Sequence, residues 1–288
     1  MKHTIRITVI LIILFFLSQI IGLATVSNYI KVAKTPEGKQ AIQHGDTILG
    51  KQPELKDSEK KFSAIPLTIA ILIGTAVVLL LIRFRLRKFW RIWYLISVWI
   101  TLAIFFDVYL TSIVAVIVAL ILALLKTFKP NIYIHNFTEV FIYTGITILI
   151  LPFLNLFSGL MLLAFISIYD MIAVWKSKHM IKLAKFQTKS KLFAGLLLTY
   201  PTKKRYTKII GKPNEYAQKK KVEGGKTAIL GGGDIAFPLM FSSAVMEHLI
   251  IVDGLQKQLA FIQSIIVSVF VTIALIILLI KSEKGKFY

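Results

Sequence analysis

Leu230-Gly231-Gly232-Gly233-Asp234-Ile235-Ala236-Phe237-Pro238 sets a carboxylate at the head of an apolar stretch, directly behind three glycines. An ionisable side chain inside a membrane segment costs roughly 2.5–3.5 kcal/mol on insertion scales. A carboxylate at that position calls for a partner that makes use of it. A second acid stands in a comparable setting, Asp170 in Ile166-Ser167-Ile168-Tyr169-Asp170-Met171.

The surrounding composition says what kind of chain carries these two acids. Of 288 residues, 56% are hydrophobic and the mean hydropathy is +0.74, too apolar for one ordinary soluble domain. The apolar residues fall in blocks of about 15–22, the length a helix needs to cross a hydrocarbon core roughly 30 Å thick. The fold class predicted is an all-α polytopic transmembrane helical bundle. There is no cysteine, which excludes disulfides, zinc–thiolate sites and cysteine nucleophiles. The formal net charge of +21 is assigned to cytoplasmic loops, where basic residues of polytopic proteins collect. The partner it implies is the lipid bilayer and not nucleic acid.

Eight helices are predicted, over residues 7–26, 64–82, 89–106, 108–125, 137–154, 156–175, 227–246 and 258–280. The first is read as a retained helix, because its apolar run exceeds that of a cleaved signal peptide and Ala24-Thr25-Val26 is a poor cleavage site. A loop over 31–61 follows with seven basic and five acidic residues. Arg83, Arg85, Arg87, Lys88 and Arg91 form a dense basic hinge between the second and third helices. Lys126 and Lys129 mark a cytoplasmic edge, and Pro152, Asn155 and Ser158 a short turn. The stretch 176–226 carries fifteen Lys or Arg against only Glu215 and Glu223, a charge density that suggests mobility. The chain thus divides into a membrane part at 1–175, a basic loop at 176–226 and a second membrane part at 227–288.

Even numbers of crossings put both ends on one side. With the N-terminus inside, 27 basic residues are cytoplasmic and eight are outside. With the long loop set aside the balance is still 12 to eight, so the N-terminus and the 176–226 loop are assigned to the cytoplasmic side of the cell membrane.

In that frame Asp170 lies six residues before Lys176 and Asp234 eight residues after Lys226. At about 1.5 Å per helical residue these are roughly 9 and 12 Å from the same boundary, a matching depth on consecutive antiparallel helices. Two carboxylates forced together in a low-dielectric site cannot both ionise, so the pair holds one shared proton. That state suits peptide hydrolysis, in which the ionised acid deprotonates water and the protonated acid polarises the scissile carbonyl. Gly231, three positions before Asp234, is expected on the same helix face, where it lets another backbone approach. Gly232 and Gly233 are expected to weaken the helix locally and admit water and an extended substrate.

At these residues the sequence resembles the presenilin and signal peptide peptidase family of intramembrane aspartyl proteases, in particular its archaeal presenilin homologues. Tyr169-Asp170 matches the family's Tyr-Asp motif, and Gly231-Gly232-Gly233-Asp234 matches Gly-x-Gly-Asp. The block from Tyr169 to Met180, through Trp175-Lys176-Ser177-Lys178-His179, extends the match. The resemblance implies a nine-helix fold that cleaves transmembrane segments of single-pass proteins, with Asp170 and Asp234 as the catalytic dyad and no cofactor. It also implies a substrate strand added near the dyad, for which Leu196, Leu197, Leu198, Ala228, Ile229 and Leu230 are the candidate edge residues. The family's Pro-Ala-Leu motif and ninth helix do not occur in these 288 residues, whose last proline is Pro238. Eight of nine helices are therefore expected, and the 288-residue chain alone is expected to be poorly active.

Competing chemistries leave weaker traces. His3, His44, His135, His179 and His248 form no His-Glu-x-x-His arrangement, which disfavours a zinc protease. Ser158-Gly159 lacks the preceding glycine of a rhomboid-type Gly-x-Ser-Gly motif. Glu139 and Asp107 are read as helix-end residues in solvated positions. Two other functions stay open on the residues alone. One is a prepilin or preflagellin leader peptidase, which uses the same Gly-x-Gly-Asp chemistry. The other is a proton or ion pathway without hydrolysis.

Overall fold

The apolar runs fold into helices because in hydrocarbon every backbone polar group must be satisfied within its own segment. The computed structural model of the chain describes residues 5–34, 40–53, 55, 57–176, 192–201, 205–207, 220–222 and 225–281, with 180, 183, 186, 187 and 190 between the longer stretches. Among them are α1 (Ile5–Tyr29), α2 (Ala64–Arg83), α3 (Arg87–Asp107), α4 (Ser112–Phe128), α5 (Ile132–Ile150), α6 (Leu156–Met171), α7 (Gly232–Ile251) and α8 (Lys257–Lys281). Seven reach the length and apolarity of a membrane span when α5 is counted with its 3-10 extension to Phe153 and α6 with its π-turn to Lys176. The exception is α4, at 17 residues. Asn155 caps α6 with a reciprocal box: its Oδ1 accepts from the Ser158 amide at 2.8 Å and its own amide donates to Ser158 Oγ at 2.9 Å.

α1 runs through the middle of the bundle. Leu11, Phe15 and Leu23 are buried against α5, α7 and α8. Close approach is achieved by small residues, as expected where helices gain nothing from hiding apolar surface from lipid. A Cβ on Gly145 of α5 would lie 1.9 Å from the Thr101 carbonyl oxygen of α3. α8 turns the buried stripe Ala260, Ser264, Ser268 and Thr272 inward. Pro238 has no amide to give to the carbonyl of Asp234. Beside it, Gln19 of α1 donates from Nε2 to the Ile235 carbonyl at 2.9 Å.

Strands supplement the helices. β1 (Ile30–Lys34) and β2 (Gln40–His44) form a hairpin after α1, and His44 Nε2 lies 2.7 Å from Glu247 Oε1 of α7. β3 (Gly195–Pro201) and β6 (Gly225–Gly231) pair antiparallel from Gly195↔Gly231 to Pro201↔Gly225. β4 (Arg205–Thr207) pairs with β5 (Lys220–Val222).

Two expectations change here. Residues 227–231 are strand and not the first turn of a helix, so α7 begins at Gly232. Apolar run length cannot separate a buried strand from a helix end, and pairing with β3 decides between them. The 176–226 stretch, expected as a polar loop, contributes β3, β4, β5 and the start of β6. Ser177, Lys178 and His179 of the motif block, His3 and residues 282–288 lie outside the described residues.

Candidate active site

Asp170 and Asp234 are brought to the junction of α6 and α7, which pack against each other. Asp170 is the penultimate residue of α6, just before the π-turn Ile172–Lys176. It and Tyr169 are half-buried, and both have interaction partners within the protein. Asp234 is the third residue of α7 and its side chain is open to the surroundings, as is Gly233.

The local reason for Asp234's position is helix capping. Gly231 is the N-cap, in extended conformation at φ −64° and ψ 148°, and its amide donates to the Asp234 carboxylate. An acid at the third helical position reaching back to the N-cap amide is half of a capping box. It also meets the positive end of the helix. The glycines therefore act differently from the sequence expectation. Gly231 ends the strand and is not on a helix face with Asp234, while Gly232 and Gly233 are ordinary helical residues. The depth argument changes with them, because residues 227–231 advance about 3.3 Å each as strand and not 1.5 Å. Helical rise therefore does not set an equal depth for the two acids.

Gly232 is where the backbone needs room. A Cβ there would stand 2.6 Å from the hydroxyl of Tyr143 on α5. That hydroxyl belongs to a buried polar network absent from the sequence reading. Tyr143 donates to Glu139 Oε2, which also accepts the Gly195 amide at 3.0 Å. Lys126 of α4 donates to Glu139 Oε1 and to Thr138 Oγ1, each at 2.7 Å, and to the His135 carbonyl at 3.1 Å. Glu139 is 1% and Lys126 2% exposed, so neither is the solvated helix-end residue or loop-edge marker expected of it. Each has the other within reach, which is what lets both charges be buried.

The same face of α5 holds β3. His135 Nε2 lies 2.8 Å from the Gly195 carbonyl oxygen. Asn136 donates to the Leu197 carbonyl and accepts the Leu197 amide, both at 2.9 Å. His135, Glu139 and Tyr143 are spaced by four, so they share one helix stripe with Asn136 beside it. Gly195 takes a φ of 142°, and a Cβ there would lie 2.2 Å from the Leu230 carbonyl oxygen. Only glycine fits both that conformation and that space.

This arrangement sorts the edges of the β3–β6 pair. Amide and carbonyl of one residue point to the same side of an antiparallel strand. Because Gly195 and Leu197 give theirs to α5, Leu196 and Leu198 face β6. Leu230 and Ala228 then face β3, which leaves Thr227, Ile229 and Gly231 on the outer edge of β6. Two further bonds agree with this parity. The Gly231 amide turns outward to Asp234, and the Gly232 amide turns inward to the Ala194 carbonyl at 3.2 Å. From Gly195 to Leu197, β3 presents no open edge.

No cluster of His, Cys, Asp and Glu that could hold a metal occurs among the described residues. A family model described as signal-peptide peptidase, presenilin aspartyl protease matches residues 47–286, which include α2 to α8 and both acids. No curated protein matches the chain.

Proposed function

The chain belongs to the signal-peptide peptidase, presenilin aspartyl protease family, and from that premise we propose that Asp170 and Asp234 are the dyad with which it hydrolyses peptide bonds in transmembrane segments. It is a multi-pass membrane protein of an intramembrane protease family. The observation that carries the assignment is the placement of both acids at the junction where α6 ends and α7 begins, beside an open face at Gly233.

In the proposed reaction the ionised carboxylate takes a proton from water as its oxygen attacks the scissile carbonyl carbon. The protonated carboxyl gives its proton to the carbonyl oxygen. The tetrahedral intermediate collapses with its oxygen returning a proton to one carboxylate, and the other acid protonates the leaving amine. One shared proton remains on the pair at the end, as at the start.

A scissile segment must be extended before water can reach its carbonyl. We assign its docking to the outer edge of β6, at Thr227 and Ile229, four and two residues before the N-cap of α7. Strand addition there satisfies the substrate's backbone groups and aims it at Asp234. Of the six candidate residues Ile229 alone stays on the outer edge, and Thr227, which was not among them, joins it; the change rests on the α5 side chains that occupy β3. The N-terminus and the connection between α6 and α7 are assigned to the cytoplasm on the basic-residue balance. Single cysteines introduced into this cysteine-free chain and labelled from one side would test that.

The reaction is tested with the full chain reconstituted in vesicles, a transmembrane peptide and ¹⁸O-water. Label should enter one new carboxyl group, and Asp170→Asn and Asp234→Asn should each lower the rate by about 10²–10⁴. Cleavage at an undiminished rate in either variant, or ion flux without cleavage, would overturn the assignment.

A further inference from the structure

The basic hinge is not used by the protease chemistry. It places Arg83, Arg85, Arg87, Lys88 and Arg91 within nine residues. The backbone compresses them further: α2 ends at Arg83, Arg85 turns the chain with a φ of 56°, and α3 begins at Arg87. Among the described residues none of the five pairs with an acid, and all five are exposed. Like charges this close repel one another, and an anion between them removes that penalty.

Beneath the cations lies an apolar wall. Arg87, Arg91 and Leu95 are spaced by four, as are Lys88 and Ile92, and Lys88/Arg91 and Ile92/Leu95 are spaced by three, so the five form a single stripe on α3. Together with Phe128, the last residue of α4, they line a cleft of about 390 Å³. The cations occupy the first turn and a half of the helix. Ile92 and Leu95 occupy the next turns, toward the membrane interior. From Lys88 to Leu95 the helix rises about 10 Å, the distance over which a bilayer passes from headgroup to acyl chain. Ile92 is 56% exposed with no protein covering it. A free anion would use the upper half of this cleft only. An amphiphile uses all of it.

We propose that the cleft binds an anionic phospholipid. Its phosphate is held by Arg87, Lys88 and Arg91, and the first carbons of an acyl chain lie against Ile92, Leu95 and Phe128. Guanidinium forks suit phosphate oxygens, and clustered basic residues beside a membrane helix attract anionic headgroups at about five-fold in affinity per cation.

The test uses the full chain in detergent and mass spectrometry under non-denaturing conditions. Phosphatidylglycerol, phosphatidylcholine with the same chains and inorganic phosphate are offered in turn. Wild type should retain phosphatidylglycerol at least ten-fold better than phosphatidylcholine. The R87Q/K88Q/R91Q variant should lose about 100-fold of that retention, while R83Q/R85Q, outside the cleft, should lose far less. Ile92→Ser, at an exposed position, should weaken both lipids together. Equal retention of the two lipids by wild type would overturn the proposal. So would selectivity that survives the triple change or falls equally with R83Q/R85Q, or displacement of the lipid by inorganic phosphate.

Discussion

Gly232→Ala is the perturbation that most sharply separates the motif from the structure. In a Gly-x-Gly-Asp pattern position 232 is the variable one, and at the first turn of an unobstructed helix alanine would add about 0.5–1 kcal/mol of stability over glycine. The structure reverses the sign. A Cβ at 232 meets the Tyr143 hydroxyl at 2.6 Å, Cε1 at 2.8 Å and Cζ at 3.0 Å. At 233 the nearest atom is Cε2 of Phe237 at 3.3 Å, and at 231 it is Asp234 Oδ2 at 3.2 Å. Tyr143 cannot yield cheaply, because its hydroxyl is bonded to Glu139. Overpacking costs about 1–3 kcal/mol, and displacing a hydrogen bond to a charged group about 1.5–3 kcal/mol. We expect Gly232→Ala to destabilise by about 2–4 kcal/mol, with Gly233→Ala within about 1 kcal/mol of wild type. Equilibrium unfolding in detergent and initial cleavage rates measure both. In a Tyr143→Phe background, which removes the nearest atom, the cost of Gly232→Ala should shrink by about 1 kcal/mol. A Gly232→Ala protein as stable as wild type, or a cost unchanged in the Phe background, would refute the reasoning.

Three further outcomes follow from the same site. Lys126→Met leaves Glu139 buried without its cation and should cost about 3–5 kcal/mol in unfolding free energy, most of it recovered in Lys126→Met/Glu139→Gln; no recovery would mean that the pair is not the reason for the cost. Asn136→Leu strands the amide and carbonyl of Leu197 and should destabilise by about 2–5 kcal/mol, with faster hydrogen exchange at β3 as the diagnostic. Ile229→Pro removes an amide from the outer edge of β6 and should abolish cleavage with little loss of stability, whereas Ala228→Pro breaks the ladder to β3 and should unfold the strand pair. Equal effects of the two prolines on stability would show that the edge assignment is reversed.

Most of the helical architecture was legible because its signal is local. Runs of apolar residues long enough to cross a bilayer leave the backbone only one way to satisfy its hydrogen bonds, and all eight predicted helices occur. The turn at Asn155 and Ser158 was readable for the same reason, since a capping box is written in adjacent residues. Asp170 and Asp234 stood out because an acid in an apolar run is conspicuous. The polar network was not legible. Glu139 and Lys126 are 13 residues apart on different helices, and a charge near the end of a run reads as solvated until tertiary structure shows what closes over it.

The sequence by itself determined that this is a polytopic helical bundle carrying two intramembrane acids beside a glycine run. It could not determine that residues 225–231 are strand, because a short apolar segment suits either conformation and the choice depends on β3, some 30 residues away. Tertiary structure alone put Asp234 third in its helix, bonded to the Gly231 amide, and gave one edge of β3 to His135, Asn136 and Glu139. The physical reason is common to both: hydrogen bonds formed on tertiary packing decide between local conformations of nearly equal energy.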